Sequence, residues 1–154
     1  MALLYGSSAR TYYSSTGGAE GVAYETEPTY TGWHHYAVTR QGTNVYFYWD
    51  GSSVGSATVD SSDTTVNLIG IYGGGGFHLE GYLHDFRIYA GATANITTIY
   101  NGGCPGEDAT VGSVTLRYKF DDGSGTTAND SSGNNNDGTL ANFEPEHWSD
   151  FTPC

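Results

Sequence analysis

Residues 32–51 read GWHHYAVTRQGTNVYFYWDG, two strand-forming runs joined by one turn and closed by another. Trp33 to Thr39 alternates bulky apolar positions (Trp33, Tyr36 or His35, Val38) with polar ones, the two-residue period of a strand. Gln41-Gly42-Thr43-Asn44 puts Gly and Asn where a tight turn needs positive φ, and Val45 to Trp49 is a β-branched and aromatic run. Asp50-Gly51 is a second turn dipeptide that ends the second strand. The stretch therefore predicts a β-hairpin, and the rest of the chain is read outward from it.

Upstream, Ala2 to Tyr5, Thr11 to Tyr13 and Gly21 to Glu25 are short strand candidates separated by Gly- and Ser-rich turns. Downstream come an edge strand and exposed loop around Val54 to Val59, then Asn67-Leu68-Ile69-Gly70-Ile71, a mobile Gly73 to Gly76 loop, FHLEGYLHDFRIY (77–89) and NITTIYNGG (95–103). The motif order from the Gly-Trp-His-His hairpin through the strand pair to the closing helical turn resembles laminin-G-like domains, relatives of the concanavalin A-type lectins and the pentraxins. The resemblance covers roughly residues 30 to 103. It implies an all-β fold, an antiparallel two-sheet jelly-roll sandwich with almost no helix.

Composition agrees with that class. The 154 residues include 23 Gly, 13 Tyr, 3 Trp and one Met, which suits short strands and tight turns. A chain of this length buries about 70% of its unfolded surface as one domain without a metal or disulfide. Five Lys plus Arg against 17 Asp plus Glu, a net charge of −12, leave no basic patch for a phosphate backbone, so nucleic acid is excluded as a partner. No stretch approaches the ~20 apolar residues of a membrane span. MALLYGSSAR lacks the basic flank and long apolar core of a signal peptide, so export, if it occurs, is expected to use a signal upstream or lysis.

Beyond residue 103 the pattern restarts. SVTLRYKF (113–120) alternates Val114, Leu116, Tyr118 and Phe120 on one face, and NDSSGNNNDGTL (129–140) resembles the segment that opens a laminin-G-like domain, although it lies here after the segment that closes one. The family's other opening strands have no counterpart. Residues 1–103 therefore read as the sandwich body, and 104–154 as a carboxy-terminal segment that completes the same sandwich in cis or a neighbour's in trans. Burying the four large side chains of 113–120 is worth about 1.5 to 3 kcal/mol each, which argues against a free tail. Cys104 and Cys154 would close a loop of ~50 residues as a disulfide worth ~3 to 4 kcal/mol; the alternative is two free thiols. The sequons Asn95-Ile96-Thr97 and Asn129-Asp130-Ser131 agree with an oxidising compartment.

For chemistry, His34 and His35 occupy adjacent strand positions, point to opposite faces and cannot share a metal, so they read as packing. Glucanases need two carboxylates flanking a glycosidic bond, and no same-face run exists; Glu80 and Asp85 lie an odd number of residues apart. The chain reads as a non-enzyme. Asp130, Asn134, Asn136 and Asp137 gather hard oxygens in one Gly-rich turn, as Ca²⁺ requires, and the resembling family often carries structural calcium; consecutive Asx turns are the alternative reading. Trp49, Tyr72, His78 and Tyr82 near the Gly-rich loop are the candidate glycan contacts, the alternative being core packing.

The expected function is noncatalytic recognition or adhesion at an extracellular or virion surface, carbohydrate binding first, with a glycan or a protein surface as partner. The competing expectation is a structural subunit of a filament, fibre or coat, a homo-oligomer built through the carboxy-terminal strands.

Overall fold

The hairpin forms as its sequence dictates. In the computed structural model, which describes residues 2–4, 9–13, 22–26, 33–61, 66, 69–72, 77–78, 82–90, 95–103 and 113–148, β4 (Tyr36–Gln41) pairs antiparallel with β5 (Asn44–Trp49), and Val38 faces Phe47 in the register. Gly42 has φ 59° in the two-residue loop Gly42–Thr43, the place where a type II′ turn demands glycine. Trp33 to His35 lead into β4 rather than belonging to it, so the strand starts three residues later than the alternation predicts.

β5 continues through the Asp50-Gly51 turn into β6 (Ser52–Thr58), which it pairs with a bulge between Phe47 and Tyr48. The inward face of this three-stranded sheet makes the core: Val45, Phe47 and Val59 are buried, with Val38, Val54 and Ala57 packed against them. Full burial of Phe47 and Val45 contributes about 1.5 to 3 kcal/mol each.

The chain divides into two compact units, Met1–Tyr82 and Leu83–Cys154. The first also contains the meander β1 (Ala2–Leu4), β2 (Ala9–Tyr13) and β3 (Val22–Thr26), and the short pair β7 (Ile71–Tyr72) and β8 (Phe77–His78). Within this unit β3 lies against β6 and β1 against β7.

The second unit pairs β9 (Phe86–Ala90) with β10 (Ser113–Tyr118), and β11 (Thr127–Ala128) with β12 (Gly138–Thr139). The single α-helix among its described residues, α1 (Ile96–Tyr100), is one turn long: Asn95 Oδ1 accepts the Thr98 N–H at 3.1 Å, and Asn101, at φ 44°, ends it. Ile96 and Ile99, three apart, are its buried residues. Every strand pairing among the described residues is antiparallel and helix is scarce, the all-β class that the sequence predicts.

One feature of β10 departs from the sequence reading. The register shifts between Val114 and Leu116, so a bulge at Thr115 breaks the expected single apolar face, and Phe120, at φ 56°, lies beyond the strand. Tyr118 is the buried residue of the series, whereas Leu116 is half-buried.

Candidate functional site

The open end of the hairpin gathers aromatic rings around one carboxylate. Asp50 adopts φ 47°, a left-handed conformation that Asp tolerates better than most residues, and this turns its side chain back on the entry to β4. Oδ2 lies 2.8 Å from His34 Nδ1 and Oδ1 accepts the His35 N–H at 2.8 Å, while the Asp50 N–H returns to the His35 carbonyl. A carboxylate only accepts, so the proton of this His34 bond sits on Nδ1. That grip holds the His34 ring against Trp49, centroids 4.8 Å apart and tilted 31°, and Tyr36 flanks Trp49 at 6.4 Å. The adjacent Trp33 carries Tyr82 at 6.4 Å, and Tyr82 is 66% exposed.

Of the four candidate glycan contacts, Trp49 pairs with His34 and Tyr82 with Trp33, two ring pairs joined through the chain at Trp33-His34. Tyr72 and His78 lie on the paired backbone of β7 and β8, Tyr72 opposite Phe77 and His78 opposite Ile71. Trp33, His34 and Asp50 were not singled out as contacts by sequence. The available signal was the Asp-Gly dipeptide one hairpin length after the His pair. The His34 ring has the packing role expected of it, held on Trp49 by Asp50, whereas His35 meets Asp50 through its backbone N–H.

In the second unit Asp85, at φ 53°, is the centre of a buried charge cluster. Arg117 donates to both of its oxygens, Nε to Oδ1 at 2.9 Å and Nη2 to Oδ2 at 3.1 Å. Arg87 also grips both, Nε to Oδ1 at 2.9 Å and Nη2 to Oδ2, and its Nη1 reaches the Tyr89 hydroxyl at 3.2 Å. Arg87 and Arg117 are direct cross-strand partners, two like charges held together by the carboxylate between them. Burial alone would raise the Asp85 pKa, but the hydrogen bonds and charges of Arg87 and Arg117 outweigh it and hold the group at about 2. The same bonds push Arg87 up, against burial. A carboxyl so held does not carry a proton near neutral pH and cannot serve as a glycosidase's general acid. Glu80 lies outside the described residues.

The turn from Asp130 to Asp137 closes the outer edge of β10. Asp130 Oδ1 accepts the N–H groups of Arg117 (3.0 Å) and Ser132 (2.9 Å). Oδ2 accepts the Ser132 hydroxyl (2.9 Å) and the Asn136 N–H (3.0 Å). Asp137 Oδ1 accepts the Asp130 N–H at 2.8 Å. Asn134 points its amide NH₂ at the Val114 and Thr115 carbonyls (3.2 and 3.1 Å), and Asn136 points its own at Thr115. Burial would raise the Asp130 pKa, but the backbone donors outweigh it and hold the group well below the usual carboxylate range.

As folded, these residues do not fit a calcium ion at Asp130, because the ion would meet the positive ends of four donors already on its oxygens. Among the described residues no group of three or more His, Cys, Asp or Glu is placed to hold a metal. Cys104 and Cys154 lie outside the described residues. No helix among the described residues is long and apolar enough to cross a membrane.

No curated protein and no solved structure matches the chain. A family model, that of the concanavalin A-like lectin/glucanase superfamily, matches residues 2–95. The match runs from β1 through the hairpin and its aromatic cluster to β9, over more than half of the chain, and the antiparallel strands with scarce helix are those of that superfamily's sandwich. This chain belongs to the concanavalin A-like lectin/glucanase superfamily.

Proposed function

We propose that the chain is a noncatalytic recognition module that binds carbohydrate at the open end of the hairpin, at an extracellular or virion surface. One observation carries the reading: Tyr82, 66% exposed, presents an aromatic ring next to that of Trp33, in a chain of a lectin and glucanase superfamily. Aromatic faces stack on the apolar face of a pyranose ring, and the ring edges and nearby polar groups bond to its hydroxyls.

Glycan-array binding of the whole chain tests the proposal, with Tyr82→Ala alongside. Loss of at least about tenfold in affinity at an unchanged melting temperature is expected of an exposed contact residue. Equal binding by the variant would move the site elsewhere, and binding to no glycan would end the carbohydrate reading. A Cys104–Cys154 disulfide belongs to the same extracellular setting. Its mark is an unreduced mass lower by about two hydrogens, and two alkylatable thiols in freshly isolated protein would count against it.

A further inference from the structure

We infer that the carbohydrate this module takes is uncharged, a neutral glycan rather than a uronate or sulfated polymer; the inference rests on the carbohydrate-binding proposal above and names its ligand class. Anionic glycans are held by Lys and Arg side chains that reach out to carboxylate or sulfate, and this chain has five such residues against 17 carboxylates. Arg87 and Arg117 are only 7% and 16% exposed, and both are committed to Asp85. Arg40 folds back on its own hairpin, Nε to the Gly42 carbonyl at 2.8 Å and Nη2 to the Asp60 carbonyl at 2.9 Å. Arg10 lies in register opposite Glu25 on the β2–β3 pair. Lys119 is followed on the chain by Asp121 and Asp122.

In the unit that holds the aromatic cluster, only Arg10 and Arg40 stand against Glu20, Glu25, Glu27, Asp50, Asp60, Asp63 and Glu80. A polyanion approaching Tyr82 would meet a net negative field, with Arg40 already engaged by carbonyls of its own unit, which slows encounter and weakens the complex. A neutral sugar has no such penalty and meets what the site does present, ring faces at Tyr82 and Trp49 and the hydrogen-bonded His34 edge.

The test is equilibrium binding of the whole chain to four soluble probes, a neutral glucan, a neutral galactan, a polyuronate and a sulfated glycosaminoglycan. Chelator is present throughout, so that a divalent cation cannot bridge two anions. The expected result is binding to one or both neutral polymers that changes by less than about twofold between low and high salt, since no ion pair is being screened. Neutral-probe binding should also be lost in Tyr82→Ala. Binding confined to the polyuronate or the sulfated polymer, falling steeply with salt, would overturn the inference while leaving the carbohydrate proposal in place. Binding to none of the four, with no hit on a wider array, would sink both.

Discussion

Arg117 grips Asp85 at two points, Nε to Oδ1 at 2.9 Å and Nη2 to Oδ2 at 3.1 Å, across 32 positions of sequence. The side chains are 16% and 3% exposed, so the pair ties β10 to the loop before β9 from inside. A buried ion pair is weak evidence for net stability, but removing one partner is costly because the other charge is left uncompensated.

Asp85→Asn should therefore destabilise by about 3 to 5 kcal/mol, read by urea unfolding at neutral pH. The wild type should also show acid sensitivity. The folded pKa of about 2 lies below the ordinary 3.8, so the native state binds fewer protons than the unfolded one. The contribution, on the order of 2 kcal/mol, is complete above about pH 4 and lost as pH falls toward 2. An identical acid profile in Asp85→Asn and wild type would remove Asp85 as the cause.

Gly138→Ala should destabilise by about 1 to 3 kcal/mol. An added Cβ would sit 3.1 Å from Tyr118 Cζ and Oη, and the ring has little room to give. Its hydroxyl donates to the Asn136 carbonyl at 2.6 Å, and Phe86 and Phe120 stack on it at 6.4 and 5.8 Å. Tyr118→Phe should relieve part of the clash, so the double variant should be less unstable than the two single losses added. Strict additivity in thermal unfolding would show that the two groups do not meet.

Asp50→Ala should lower stability by about 1 to 3 kcal/mol, because the variant loses the acceptor for His34 and for the His35 N–H and must still adopt φ 47°. Asp50→Asn keeps an acceptor and the tolerance for positive φ, and should cost about half as much or less. Because Asp50 positions His34 on Trp49, both changes should also weaken glycan binding. An Asp50→Ala protein with wild-type affinity would detach the clamp from the binding surface.

Calcium addition and chelation should leave the melting temperature unchanged, since both Asp130 oxygens are occupied by donors. A melting temperature that rises with millimolar Ca²⁺ and falls with chelator would place an ion on Asp137 and the free amide oxygens of Asn134 and Asn136.

The hairpin was legible because its signals are local, a two-residue period and a Gly at the turn that act within a few positions, and the helical turn of α1 came with the family resemblance. What escaped depends on partners far along the chain. Nothing in 113–120 shows that Thr115 is bulged; the bulge is stabilised by side chains 17 to 21 residues away that bond its carbonyl. The Asn-rich turn was read for its oxygens, but an amide carries donors too, and here the NH₂ groups face the strand. Arg87 and Arg117 are unremarkable in sequence until the register sets them opposite each other. At the candidate site, the aromatic content pointed to Trp49 and Tyr82, whereas the clamp that arranges the surroundings of Trp49 rests on the positive φ of Asp50.

The covered edge of β10 has a consequence for how this surface can change over generations. A strand shielded by another strand is shielded by backbone, which every residue type supplies, so substitutions barely alter the protection. Here Ser132, Asn134 and Asn136 supply it through their side chains. Each can be lost separately by a change of one residue: three donors share the Thr115 carbonyl and Asn134 alone covers that of Val114, so the edge is uncovered by degrees. The readiness of this edge to accept a foreign strand is thus a heritable, stepwise setting held in three codons, which substitutions can raise or lower without rebuilding the sheet.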